Sequence, residues 1–219
     1  MADLTLYTNP MSRGRIARWM MEEVGEPYET VLLEYGTSMK APEFLALNPM
    51  GKVPTLRHGE VVVTEGAAIC AYLADAFPHR NLAPPPGDPR RGTYYRWLFF
   101  AAGPLESAVT AKAMGLLAPA EKRAMAGYGT FEDVMDALET AVSVSAYICG
   151  DQFTAADVYV GSQIGWGLQF GTIEKRATFE AYSARLRQRE AAVRASQLDD
   201  ADMAKVTPPQ MAAPPQPAA

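Results

Sequence analysis

The chain has 219 residues, of which 48 % are apolar, and a formal net charge of −5. That length holds one large domain or two small ones, and that apolar share supports a packed core rather than a disordered polymer. The acidic balance argues against nucleic acid as a partner, and no apolar run approaches the roughly 18 residues of a membrane span. The opening MADLTLYTNP is too polar for a secretion signal. Cys70 and Cys149 lie in apolar stretches and read as buried free thiols of a reducing cytosol. The two histidines are not clustered with them, so no metal site is expected. A soluble, cytoplasmic protein is expected, with no nucleic acid and no membrane as partner.

In chain order, LTLY (Leu4–Tyr7) reads as a strand, broken by Asn9 and Pro10. Ser12 stands where a helix cap would stand, and Ile16, Trp19, Met20 and Val24 recur at helical steps until Gly25 and Pro27 stop them. YETVLL is a second strand and APEFLAL a short helix with Pro42 in its first turn. After the NPMG turn, VPTL and VVV form a hairpin through His58 and Gly59. From Gly66 a helix repeats Ile69, Leu73 and Phe77. Strand, helix, strand demands a parallel first pair; the later hairpin must be antiparallel.

PHRNLAPPPGDPRRG reads as a linker. Beyond it no strand is evident. Two long helices, YYRWLFFAAGPLESAVTAKAMG and FEDVMDALETAVSVSAYI, precede two or three more, so this half is a helical bundle. The expected division is an α/β domain over 1–80, a linker over 81–92, an all-α domain over 93–204 and a disordered tail rich in proline and alanine over 205–219.

Three places could carry chemistry. Ser12 opens the first helix, where spare N–H groups and partial positive charge favour an anion. Its hydroxyl either caps that helix or donates to a bound thiolate; no His or carboxylate lies near in sequence to make it a nucleophile. Glu65 and Gly66 open the third helix, a start suited to a carboxylate, with Glu65 supplying a charge for an adjacent ammonium. Between them, Pro54 sits directly after Val53. A cis bond there leaves the backbone of Val53 free to pair with an extended peptide. If the strands form one sheet, all three places fall along one edge. A peptide would lay its amino-acid end at Glu65, its thiol at Ser12 and its other carboxylate at Lys52 or Lys40.

These residues resemble a glutathione transferase over roughly positions 3 to 200, of a bacterial type close to the serine-using phi-like and theta-like classes. The resemblance implies a thioredoxin-like amino-terminal domain followed by an all-helical domain. It implies a cis bond before Pro54, glutathione as co-substrate with no permanently bound cofactor, and a homodimer. It also implies transfer to a small hydrophobic electrophile, as in detoxification. NPMGKVPTL carries it, as does TEGAAI, in which Gly66 replaces the family's serine. CGDQFTAADVYV carries it in the second half: there Thr154 can cap a helix while Asp157 reaches back, a folding device. Ser12 occupies the activating position; Tyr7 and Asn9 are alternatives. Glutathione would lie against Lys40, Lys52, Val53, Pro54, Glu65 and Gly66. The electrophile would lie against Phe100, Pro104, Val109, Met114, Trp166 and Phe170. Two rival readings stay open: a protein that binds glutathione or apolar ligands with little turnover, and a glutathione-dependent thiol oxidoreductase.

Overall fold

A computed structural model describes residues 3–208. Strand β1 (Leu4–Thr8) leads into α1 (Gly14–Val24), then β2 (Tyr28–Leu32), a short α2 (Pro42–Leu45), the hairpin β3 (Thr55–His58) and β4 (Val61–Thr64), and α3 (Gly66–Ala76). The sheet order is β2-β1-β3-β4, with β1 parallel to β2 and antiparallel to β3, and β3 antiparallel to β4. β1 alternates: Leu4 and Leu6 enter the main core with Leu56, while Tyr7 joins a smaller cluster around Leu33, Met39 and Phe44. α1 lays Ile16, Met20, Met21 and Val24 into the main core, and Gly25, at φ +69°, ends it by donating to the Met21 carbonyl.

The second half is helical: α4 (Arg90–Phe100), α5 (Glu106–Ala113), α6 (Phe131–Ser143), α7 (Ala155–Phe170), α8 (Ala177–Arg187) and α9 (Glu190–Asp202). α4 and α5 are one rod joined by a π-type turn over Ala101–Leu105. Pro104, with no N–H to give, sits inside that turn, where the wider winding absorbs it.

Several expectations need correction. Val53 and Pro54 precede β3 rather than open it. The helix predicted through FEDVMDALETAVSVSAYI stops at Ser143, and residues 144–150 fold as a turn closed by a Tyr147–Gly150 bridge. The 81–92 linker is not free: Leu82 is buried and its carbonyl accepts from Ala155 N at 2.7 Å, while α4 already begins at Arg90. The tail does not start at 205: Lys205 ends a 3₁₀ turn, ion-paired to Asp202 at 2.8 Å, and Val206 is buried. The rest of that tail, from 209, lies outside the described residues.

The halves are joined by an ionic contact that no local pattern announced. Arg18 of α1 is buried against α9. Its Nε lies 2.9 Å from Asp199 Oδ1, out of line for a hydrogen bond, and its guanidinium donates to Asp202 Oδ2 at 2.7 Å. Burial pushes the Asp199 carboxyl up to about 6, against the pull of Arg18 and Arg15. α9 is thereby held across α1, which builds one wall of the interdomain cleft.

Candidate functional site

The sheet register brings the three candidate places to one end of the strands. Tyr7 pairs with Thr55 and Thr55 with Thr64, so the end of β1, the start of β3 and the end of β4 stand side by side. The shared edge is the end of the sheet formed by the carboxyl ends of β1 and β4; the lateral strands are β2 and β4. The Val53–Pro54 peptide is cis. Among the described residues, neither the N–H nor the C=O of Val53 has a backbone partner.

The loop before Pro54 is organised by Asn48, whose importance the sequence reading missed. Its side chain is buried, donates to Lys52 O at 2.8 Å and to Thr55 Oγ1 at 3.2 Å, and accepts from Met50 N at 3.1 Å. An asparagine before a proline signals a turn, but not this long-range bracing. Lys40 braces the same loop: its ammonium donates to the carbonyls of Met50 and Gly51. Lys52 is exposed and makes no ion pair among the described residues, which leaves it the freer of the two candidate cations.

Glu65 is exposed and holds φ at +66°, a left-handed conformation that side chains other than glycine adopt at a cost of about 1–3 kcal/mol. It delivers the chain into α3, whose first N–H groups have no intrahelical partner. A Cβ at Gly66 would stand 3.1 Å from the Tyr159 ring of α7, so a serine there requires the ring to shift by a few tenths of an ångström. The variant Glu65→Gly is expected to gain about 1 kcal/mol of stability, because the backbone strain leaves with the side chain. Urea denaturation checks this; unchanged or lower stability would mean that the positive φ is not costly here.

Ser12 lies two residues before α1. Its Oγ donates to Asn9 O at 2.6 Å and accepts from Gly14 N at 2.9 Å. The N-cap of α1 is Arg13, with no side-chain cap bond, so Ser12 does not hold the cap position expected; it braces the turn before the helix and is a candidate donor, since a hydroxyl can turn its one proton from Asn9 to a closer anion. Gly14 is needed here: a Cβ would fall 2.0 Å from Thr8 Oγ1 and 2.9 Å from Ser12 Oγ. Asn9 does not fit the activating role. It is fully buried, its amide donates to Leu33 O at 2.7 Å, and its Oδ1 accepts from Met11 N at 2.9 Å. Tyr7 packs against Phe44, ring centroids 5.7 Å apart, in the smaller cluster. Tyr35 was missed: from the loop after β2 its hydroxyl lies 3.3 Å from Met11 O and within reach of Ser12, and burial raises its pKa while Ser12 and Arg13 lower it.

Ser12 also lines a cleft of about 690 Å³ between the sheet domain and the helices. Of the expected pocket residues, Val109, Trp166 and Phe170 line it. Phe100, Pro104 and Met114 do not. Phe100 stacks edge-on with Trp97 against the core, Pro104 lies in the π turn, and Met114 is exposed beyond the end of α5. The extra residue of the π turn rotates the downstream helix, so a continuous α-helical count fails beyond it. The cleft is also less apolar than expected. Arg13 is ion-paired to Glu106 at 2.6 Å across the domains, Gln163 donates to Glu106, and Arg15 is ion-paired to Asp200 at 2.8 Å.

Thr154 and Asp157 form the capping box expected for α7. Phe153 packs with Trp19 and Tyr147, under the Arg189 guanidinium. Both cysteines are buried, and burial raises both thiols, Cys149 to about 11. Among the described residues no cluster of three or more His, Cys, Asp or Glu is placed to hold a metal ion, and no helix is long and apolar enough to cross a membrane.

A four-stranded sheet with a cis-proline beside a helix start, followed by an all-helical half, defines a thioredoxin-like domain coupled to a helical domain. Residues 2–75 match the family model "Glutathione S-transferase, N-terminal domain". The chain is 30 % identical over 167 residues to glutathione S-transferase 3 of Zea mays, covering 72 % of this chain and 75 % of that one. It is 32 % identical over 127 residues to glutathione S-transferase GstA of Escherichia coli O157:H7, a match spanning 57 % of this chain and 61 % of that one. A sphingomonad glutathione S-transferase solved in complex with glutathione superposes with a TM-score of 0.71 at 27 % identity, over 90 % of this chain and 98 % of that one. The chain belongs to the glutathione S-transferase family.

Proposed function

We propose that the protein transfers glutathione to a small electrophile, with the peptide laid across the strand ends and its sulfur at Ser12. The observation that carries this reading is the position of Ser12, which belongs both to the row of strand ends and to the wall of the interdomain cleft. Val53 offers an unpaired N–H and C=O to the cysteinyl part. The start of α3 and Glu65 take the γ-glutamyl carboxylate and ammonium. Lys52 takes the glycyl carboxylate. The thiolate then attacks an electrophilic carbon held in the cleft against Val109, Trp166 and Phe170. The carbon–sulfur bond forms as the leaving group departs or as a conjugated double bond takes up the electron pair. The reading puts the protein in the cytoplasm, where reduced glutathione is abundant.

The test is retention on immobilised glutathione followed by conjugation to a chlorinated nitrobenzene. Retention with measurable conjugation is expected. Retention with no conjugation to any electrophile would favour a binding protein instead. An oxidoreductase reading is disfavoured by the burial of both cysteines, which leaves glutathione itself as the only thiol at the site.

The same reading includes a homodimer. Tyr95 and Phe99 lie four residues apart on α4 and are 40 % and 73 % exposed, an apolar stripe suited to a second copy. Phe99→Asp is expected to shift sedimentation from dimer to monomer at micromolar concentration. A wild type that sediments as a monomer would refute this part.

A further inference from the structure

The bonds of Ser12 leave one place unfilled. A hydroxyl has one proton and two acceptor positions. The proton of Ser12 goes to Asn9 O at 2.6 Å, and one acceptor position takes Gly14 N at 2.9 Å. Among the described residues no other donor is bonded to Ser12 Oγ. The neighbouring cations are committed elsewhere: Arg13 to Glu106, and Arg15 to the Pro10 carbonyl and Asp200. The side chain left to fill the second position is Tyr35.

Backbone bonds of the sheet domain bring Tyr35 to this place. Leu33 N donates to Thr8 O at 2.9 Å, and Asn9 Nδ2 donates to Leu33 O at 2.7 Å. These bonds fix the loop after β2 against the turn that carries Ser12. Two residues past Leu33, the Tyr35 hydroxyl donates to Met11 O at 3.3 Å. That is long beside the usual O–H···O distance of about 2.7–2.8 Å, so little is lost when the proton swings away. Burial raises the Tyr35 pKa, while the nearness of the Ser12 hydroxyl and the Arg13 guanidinium lowers it. Core packing does not account for the residue, which is 39 % exposed.

Resting on the glutathione reading above, we propose that Tyr35 is a positioning residue for Ser12. When the thiolate draws the Ser12 proton away from Asn9 O, the Tyr35 hydroxyl turns from Met11 O to the open side of Ser12 Oγ. Gly14 N–H and Tyr35 O–H then fill both acceptor positions, and the Ser12 proton is left pointing at sulfur. A hydroxyl that accepts also donates more strongly, by on the order of 10–30 % per bond. Tyr35 acts through Ser12 and does not touch sulfur. Both hydroxyls rotate, and neither gives up its proton.

Tyr35→Phe deletes only the O–H, at a position open enough for the variant to fold. The midpoint of thiolate formation by bound glutathione should rise by about half a unit. Conjugation measured below the midpoint should slow about threefold, which is the same free energy read a second way. Calorimetric affinity for glutathione in that pH range should stay as it is. In a Ser12→Ala background the same substitution should change neither midpoint nor rate, because the hydroxyl through which Tyr35 works is gone. A brace that merely held Met11 would not move the midpoint or depend on Ser12. An unaltered midpoint in Tyr35→Phe overturns the role. So does an effect of equal size in both backgrounds, which would set the phenol directly on the substrate. A wild type that does not bind glutathione overturns the glutathione reading and this inference with it.

Discussion

Asp157→Ala is expected to cost about 4 kcal/mol or more of stability, and Asp157→Asn nearly as much. The carboxylate is fully buried and accepts four hydrogen bonds. Oδ2 takes Thr154 N at 2.8 Å and Thr154 Oγ1 at 3.0 Å; Oδ1 takes Ile148 N at 2.8 Å and the Tyr182 hydroxyl at 2.7 Å. One side chain thus ties the start of α7 to α8 and to the turn after α6. Truncation leaves two buried backbone N–H groups without acceptors, each worth about 1–3 kcal/mol, besides the two hydroxyls. The asparagine case separates this account from simple helix capping. Each oxygen faces a backbone N–H, so either orientation of an amide sets its NH₂ against a donor. An ordinary exposed cap would tolerate asparagine well. Burial raises the Asp157 carboxyl, and all four donors pull it back down. Urea denaturation checks the ordering. A loss near 1 kcal/mol for alanine, with asparagine neutral, would mean that the residue only caps a helix.

Ser12→Ala is expected to slow conjugation about tenfold with little change in glutathione affinity. A free thiol of the cysteine kind ionises near about 8.5. A hydroxyl bond to a charged acceptor contributes about 1.5–3 kcal/mol. In the structure that proton is given to Asn9 O, so turning it to sulfur costs one neutral bond of about 1 kcal/mol. The net of about 0.5–2 kcal/mol brackets a tenfold effect. The start of α1 adds up to about 1 kcal/mol, which alanine does not remove. On the proposed reading the two lower the thiol by roughly 0.4 to 2 units. Turnover and calorimetric affinity of the variant check the split. Weaker binding at an unchanged rate would place Ser12 in binding instead.

The fold was legible where chemistry is local. The alternation in LTLY, the Gly25 stop, the hairpin at His58-Gly59 and the Thr154–Asp157 spacing each point to an element that the structure contains. What stayed hidden depends on contacts distant in sequence. Arg18 meets Asp199 and Asp202 some 180 positions away, and nothing near RIARWM announces a buried charge. The growth of Asp157 from a cap into a four-donor hub is invisible because Ile148 and Tyr182 come from other elements. Pocket residues on the α4–α5 rod were misplaced because a π turn breaks helical counting at Pro104. At the candidate site, Ser12, Val53 and Glu65 are breaks in regular structure, and that much is legible in sequence. The commitments of Asn9 and Lys40 were not, since a free side chain and a braced one read alike in sequence.

The most direct test of the central claim is an ultraviolet titration of the thiolate of bound glutathione, in the wild type and in Ser12→Ala. A midpoint about one unit below 8.5 is expected in the wild type, moving back toward 8.5 in the variant. Coincident midpoints in the two proteins would contradict it.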